Sequence, residues 1–183
     1  MSKLNSKSLY IEKISTKHID QGWLNWINDA DNLKVLVTVI NKYSRKDLLK
    51  YIKKVQKKKD QMFAVKIREN NEYIGNIKIN DIDYYNKRCS YGLLLGNKKY
   101  KRKGYGLIMF YKICEYAFEK LKMNKIFSVV FTDNYESLSS HLKFGMRISG
   151  HFKNHFKMNN QFKDVYFFEL TKDNFKKIKK KFK

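Results

Sequence analysis

The chain has 183 residues and a formal charge of +23, from 40 Lys and Arg against 17 Asp and Glu, with 43% hydrophobic and 15% aromatic residues. That length suits one domain with a sizeable core, and so much apolar and aromatic content excludes an intrinsically disordered chain despite the charge. Proline is absent, where average usage would give about nine, and this excludes collagen-like, Pro-rich and mucin-like chains.

A short strand over Leu9–Ile14 comes first. Ser15 or Thr16 then caps a helix carrying Ile19, Trp23, Trp26 and Ile27 on one face. Ser44 precedes a second helix with Leu48, Leu49, Ile52 and Val55 at helical spacing, and Lys53, Lys54, Lys57, Lys58 and Lys59 form its solvated side. From Gln61 the apolar period becomes that of strands: Met62–Ile67, a turn at Asn70 and Asn71, and Tyr73–Ile79 read as a hairpin. Cys89–Leu95 is a third such run, and its unbroken Leu93, Leu94 and Leu95 predict a strand buried on both faces. A long helix from about Gly104 to Lys122 carries an apolar stripe from Leu107 to Leu121. The apolar Ile126–Phe131 follows, then a short helix over Ser137–Phe144 stopped by Gly145, two strands at Arg147–Phe156 and Val165–Leu170, and a basic tail over about 171–183. This order makes an α/β chain on one mixed sheet, with no repeat or linker that divides residues 1–183. Cys89 and Cys114 lack metal or disulfide spacing and are expected as reduced structural thiols, and no apolar stretch approaches the length of a membrane span.

The segment Tyr100-Lys101-Arg102-Lys103-Gly104-Tyr105-Gly106 joins the triple-leucine strand to the long helix. A helix start offers unpaired N–H groups and a positive dipole end, glycines leave the backbone open, and three cations adjoin them; together they form a cradle for pyrophosphate. The segment lacks the Lys-Ser/Thr ending of a P-loop, and Met109 stands where a dinucleotide fingerprint has its third glycine. It resembles instead the acetyl-coenzyme A loop, R/Q-x-x-G-x-G/A, of the GNAT superfamily of N-acetyltransferases, with Lys101, Gly104 and Gly106 at the fixed positions. A second motif of that family, N-x-x-S-x-x-x-Y-x-K-x-G-F, is matched by Asn134, Ser137, Lys143 and Gly145, with His141 for Tyr and Met146 for Phe. The segments Trp23–Asp29 and Ile74–Ile79 further resemble the branch that holds ribosomal-protein N-terminal acetyltransferases and acetyltransferases of nucleotide-linked amino sugars.

The resemblance implies a single-domain GNAT fold: a mixed, mostly antiparallel sheet of six or seven strands, splayed between the fourth and fifth, with about four helices. It implies that acetyl-coenzyme A lies with its pyrophosphate on Lys101, Arg102, Lys103, Gly104, Tyr105 and Gly106. Its pantetheine would follow the main chain of Leu93, Leu94 and Leu95, whose N–H groups would polarise the thioester carbonyl, with further contacts from Asn134, Ser137 and Lys143. Transfer to an amine also needs a base, since an unperturbed lysine-like amine is about one part in two thousand neutral at pH 7. Where relatives place a Glu on the fourth strand this chain has Ser90, which needs another group to activate it. Asp81 and Asp83, just before that strand, either take this part or are turn carboxylates capping local N–H groups. His141, in the tyrosine slot, would protonate the coenzyme thiolate or orient the thiol, with Tyr91 and Tyr105 as substitutes. His18, His151 and His155 lack ligand spacing, so no metal is expected.

The expected reaction is acetyl-coenzyme A-dependent acetylation of a primary amine, on a nucleotide-linked amino sugar or a protein N-terminus, by a cytoplasmic enzyme that is a monomer or a homodimer. An anionic nucleotide suits the basic surface better than a basic protein does. The alternative is a nucleic-acid-binding module without activity, but no helix-turn-helix, zinc-finger or RNA-recognition signature accompanies the charge. In the tail, Phe175, Ile178 and Phe182 share one helical face opposite lysines, which reads as a frayed solvated end or as membrane contact.

Overall fold

The computed structural model describes residues 5–33, 42–57, 60–158 and 160–182, so Lys58 and Lys59 of the lysine cluster lie outside the described residues. One sheet holds β1 (Leu9–Lys13), β2 (Gln61–Ile67), β3 (Tyr73–Asp83), β4 (Arg88–Leu95), β5 (Lys125–Phe131), β6 (Arg147–Met158) and β7 (Gln161–Thr171), in the order β1-β2-β3-β4-β5-β7-β6. Every neighbouring pair is antiparallel except β4 and β5, which run parallel. The described helices are α1 (Leu24–Asn28), α2 (Ala30–Leu33), α3 (Arg45–Lys57), α4 (Tyr105–Glu115), α5 (Tyr135–Phe144) and α6 (Lys172–Lys179). None of them is long and apolar enough to cross a membrane.

Local signals set the helix ends. Ser44 and Asp47 cap α3 reciprocally, the Asp47 N–H donating to Ser44 Oγ at 3.2 Å and the Ser44 N–H to Asp47 Oδ2 at 2.9 Å. Asn134 Oδ1 accepts the Ser137 N–H at the start of α5, and Gly145 ends that helix at φ +102°. The first predicted helix is broken. Gly22 has φ +138° and a Cβ there would meet the Trp26 ring at 2.7 Å, so a wide turn over Ile19–Trp23 precedes α1 and α2 follows a second break at Asp29.

Two apolar layers sandwich the sheet. On one face Ile77, Ile79, Leu93 and Leu95 pack towards α4 and α6; on the other Ala64, Met62 and Leu94 pack with Trp23, Leu48 and Ile52 towards α1 and α3. The tail is neither frayed nor free to reach a membrane: Phe175, Ile178 and Phe182 are buried, with Phe175 against Tyr111 and Phe118 and Phe182 against Tyr111 and Phe144. Its apolar face completes the core behind α4, a better exchange for those rings than water or lipid contact by three side chains.

The parallel pair is short. Arg88, Cys89 and Ser90 face Lys125, Ile126 and Phe127, after which β4 and β5 separate. Tyr91, Phe110 of α4 and His141 of α5 fill the wedge, with Phe110 5.6 Å from the Tyr91 ring and 4.7 Å from His141. This splay leaves the β5-facing edge of Tyr91–Leu95 without a strand partner. It also explains why the three leucines are half-buried rather than enclosed on both faces.

Candidate active site

A cleft of about 860 Å³ follows the splay. At one end lies the loop before α4. Gly104 adopts φ +84° and Arg102 φ +60°, turning the chain so that the first-turn N–H groups of α4 face outward. A Cβ on Gly106 would meet no atom within 4 Å, so the backbone there borders open space. Glu72 anchors the loop from β2–β3: it accepts from Tyr100 Oη at 2.5 Å, Asn97 Nδ2 at 3.0 Å and Lys99 Nζ at 3.2 Å. Lys101, which lines the cleft with Gly106, donates from Nζ to Asn32 Oδ1 at 3.0 Å, and Arg102 and Lys103 are exposed beside the glycines just outside the lining. Tyr105 packs edge-on to Tyr100 at 5.1 Å.

The α5 wall carries Asn134, Ser137 and His141, while Lys143 is exposed and outside the cleft lining. His141 Nδ1 is 2.7 Å from the Ser137 carbonyl oxygen, which only accepts, so Nδ1 bears the proton and Nε2 accepts from Ser128 Oγ at 3.2 Å. Burial, opposed by that carbonyl bond, pushes the imidazole pKa down to about 4. A neutral ring whose one N–H is already engaged has no proton for a thiolate at pH 7. The proton-donor part expected of His141 therefore does not fit its surroundings, whereas orienting Ser128 and Ser137 does. Tyr91 is buried too; its hydroxyl donates to Met146 Sδ at 2.9 Å, and burial pushes the phenol well above its usual range.

The far side of the cleft is set by strand register. Asn76, Lys78 and Asn80 of β3 face Leu94, Gly92 and Ser90 of β4, so all six share one face, towards α1 and α3. Gly92 is exposed and a Cβ there would meet nothing within 4 Å, which leaves an opening in the floor between Leu94 and Ser90. At Asp81 the register shifts and φ is +51°, a bulge that turns the carboxylate back to Ser90. Ser90 Oγ donates to Asp81 Oδ2 at 2.5 Å, and Asn80 Nδ2 donates to the same oxygen at 2.6 Å and contacts Ser90 Oγ. Ser90 Oγ thus has a carboxylate as its hydrogen-bond acceptor. Asp83 is corrected to a turn cap: it accepts from the side chain and backbone N–H of Asn86 and from Arg88 Nε, which hold it below the usual carboxylate range, and it lies outside the cleft lining.

Strand-edge donors at an open splay, ending on a glycine loop at a helix start, suit an extended acyl carrier with an anionic head. The sequence profile of the acetyltransferase (GNAT) domain matches residues 8–147. The chain belongs to the GNAT acetyltransferase family. Relatives in that family include the uncharacterized N-acetyltransferase p20 of Bacillus licheniformis, 29% identical over 110 residues that cover 60% of this chain and 61% of that protein. The acetyltransferase PseH of Campylobacter jejuni is 29% identical over 118 residues, 64% of this chain and 65% of that one. The chain thus aligns with less than two thirds of the length of these two relatives. Among solved structures, the spermidine N-acetyltransferase of Vibrio cholerae in complex with CoA and spermine superposes with a TM-score of 0.81 at 17% identity, over 92% of this chain and 98% of that one. A GNAT acetyltransferase from Bacillus anthracis gives a TM-score of 0.79 at 22% identity, over 93% and 98%.

Three features of the site escape sequence reading. Glu72 is remote from the loop it anchors, the bulge that joins Asp81 to Ser90 has no local signature, and the row of Asn76, Lys78 and Asn80 was readable only as polar residues at every second position of an apolar strand. Among the described residues no three His, Cys, Asp or Glu side chains gather where they could hold a metal.

Proposed function

We propose that the chain is an acetyl-coenzyme A-dependent N-acetyltransferase acting on a primary amine. The observation that carries this reading is the unpartnered edge of β4, which runs from the Ser90–Asp81 pair to the glycine loop of α4. Acetyl-coenzyme A supplies the activated acetyl group. The first-turn N–H groups of α4, with Arg102 and Lys103, hold its pyrophosphate, and Gly106 lets it approach the backbone. On the open edge the main-chain N–H groups of Leu93 and Leu95 hold the pantetheine arm and direct a donor at the thioester oxygen, while that of Leu94, like that of Gly96, turns towards β3. Asn134 and Ser137 border that arm from α5.

The acceptor amine enters from the α1–α3 face, over Gly92. Ser90 Oγ takes a proton from the attacking nitrogen as its own passes to Asp81 Oδ2, which releases it to solvent; the N–C bond forms, the C–S bond breaks, and the thiolate takes up a proton from solvent in return. The charge of the whole surface favours an amine with an anionic portion, such as a nucleotide-linked amino sugar, over a protein N-terminus, while in the cleft itself Lys54, Lys78 and Lys101 are offset by Asp31, Asp60 and Glu136.

Thermal unfolding with coenzyme A tests the donor half. At a hundredfold excess over Kd the stabilisation is about 2.7 kcal/mol, or roughly 5 to 10 °C for a chain of this size. Gly106→Asp should fold, since the site has room and a first-turn carboxylate suits the helix dipole, yet lose that rise by placing negative charge in the cradle. A variant that still responds means the loop is not the phosphate site. For the acceptor half, turnover against nucleotide amino sugars, polyamines and N-terminal peptides decides, and preference for peptides would overturn the anionic-acceptor reading.

A further inference from the structure

We propose that Asn76 selects acceptors that carry an oxygen lone pair, which deepens the acetyltransferase reading above and rests on it. Asn76 is only 4% exposed and lines the cleft. Its Oδ1 accepts the Tyr73 hydroxyl proton at 2.6 Å, which leaves Nδ2 as the remaining donor. That Nδ2 has no hydrogen-bond partner among the described residues. A buried amide N–H without an acceptor costs free energy that a native structure rarely leaves uncompensated.

Its described neighbours across the sheet are apolar. Asn76 is flanked across the sheet by Ala64 on β2 and Leu94 on β4, and Trp23 and Met62 line the same part of the cleft. The other two members of its row are engaged: Lys78 Nζ pairs with Asp60 at 3.2 Å and sits 5.4 Å over the Tyr51 ring, and Asn80 bonds Asp81. A ligand oxygen is the remaining match for Nδ2.

Register gives the spacing. Asn76 stands two residues along the sheet from the Lys78–Gly92 row where the amine crosses, a separation of about 7 Å. The acceptor class is therefore an amine bearing a hydroxyl, carbonyl or carboxylate oxygen about that far from its nitrogen. A polyamine, whose protonated nitrogens are donors only, would set donor against donor at Asn76.

The test compares kcat/KM, with acetyl-coenzyme A, for aminopentanol and diaminopentane as probes of equal length. Wild-type protein should prefer the amino alcohol by tenfold or more. Asn76→Asp keeps the acceptor for Tyr73 and replaces the donor by a carboxylate, so it should shift the ratio at least tenfold towards the diamine while the coenzyme A-induced rise in melting temperature stays unchanged. If Asn76→Asp fails to fold, Asn76→Ser must bring the preference to within threefold of unity. Equal use of the two probes by wild type, preference for the diamine, absence of turnover of both by a protein that coenzyme A still stabilises, or a ratio that neither variant moves would each overturn the inference. Loss of coenzyme A stabilisation in the wild type would instead overturn the acetyltransferase reading itself.

Discussion

His141 is held neutral by its position, and that has a measurable consequence. With its pKa lowered from 6.5 to about 4, mainly by burial, the folded state binds no proton there across a range in which the unfolded chain does. The unfolded state is then favoured as pH falls through that window, and above about 6.5 the residue adds no pH dependence. Between pH 7 and 4.5 this amounts to about 2 to 3 kcal/mol. Urea unfolding of His141→Gln and wild type at both pH values should show the acid loss shrink by that much in the variant; equal losses would mean that the ring is solvated. The motif slot locates His141 from sequence, but its charge state is set by Phe110, Phe168 and Tyr91, far apart in the chain, and no local pattern carries that. The same holds for Asp81 and Ser90, nine residues apart and joined only through a bulge.

At the scale of elements, periodicity located most strands and helices, because a half-buried strand repeats its pattern every two residues and an amphipathic helix every 3.6, but it missed the breaks at Gly22 and Asp29. It could not report what an apolar stripe faces. The stripe of α6 fits core, solvent or lipid equally on sequence, and the structure seats it behind α4, the helix that carries the glycine loop at its other end. Phe175→Ala should therefore cost about 3 to 5 kcal/mol, seen as a fall in melting temperature, since the ring is 2% exposed and packed on Tyr111 and Phe118. A loss below about 1 kcal/mol would mean that the tail is dispensable. The triple leucine is the opposite case: a run that reads as fully enclosed is half-open because its neighbour strand turns away after Phe127, a tertiary event.

For the molecule as a whole, the charge of +23 says little about the fold and more about which solutes the surface gathers, at rates that added salt should reduce. The order of the strands carries a separate message. Among the described residues β7 is the last strand, lies between β5 and β6 and pairs with both, so β6 has no other strand partner there and β5 holds only three residue pairs with β4 until β7 arrives. A chain stopped after Met158 should consequently show no cooperative unfolding transition; one that did would mean that the first five strands stand alone. During synthesis from the N-terminus, the glycine loop, the Ser90–Asp81 pair and α5 all emerge before the strand that locks them together. The nascent polypeptide must carry its aromatic-rich middle unfinished, exposed to aggregation or to chaperones, until that late strand slots in and the site becomes a site.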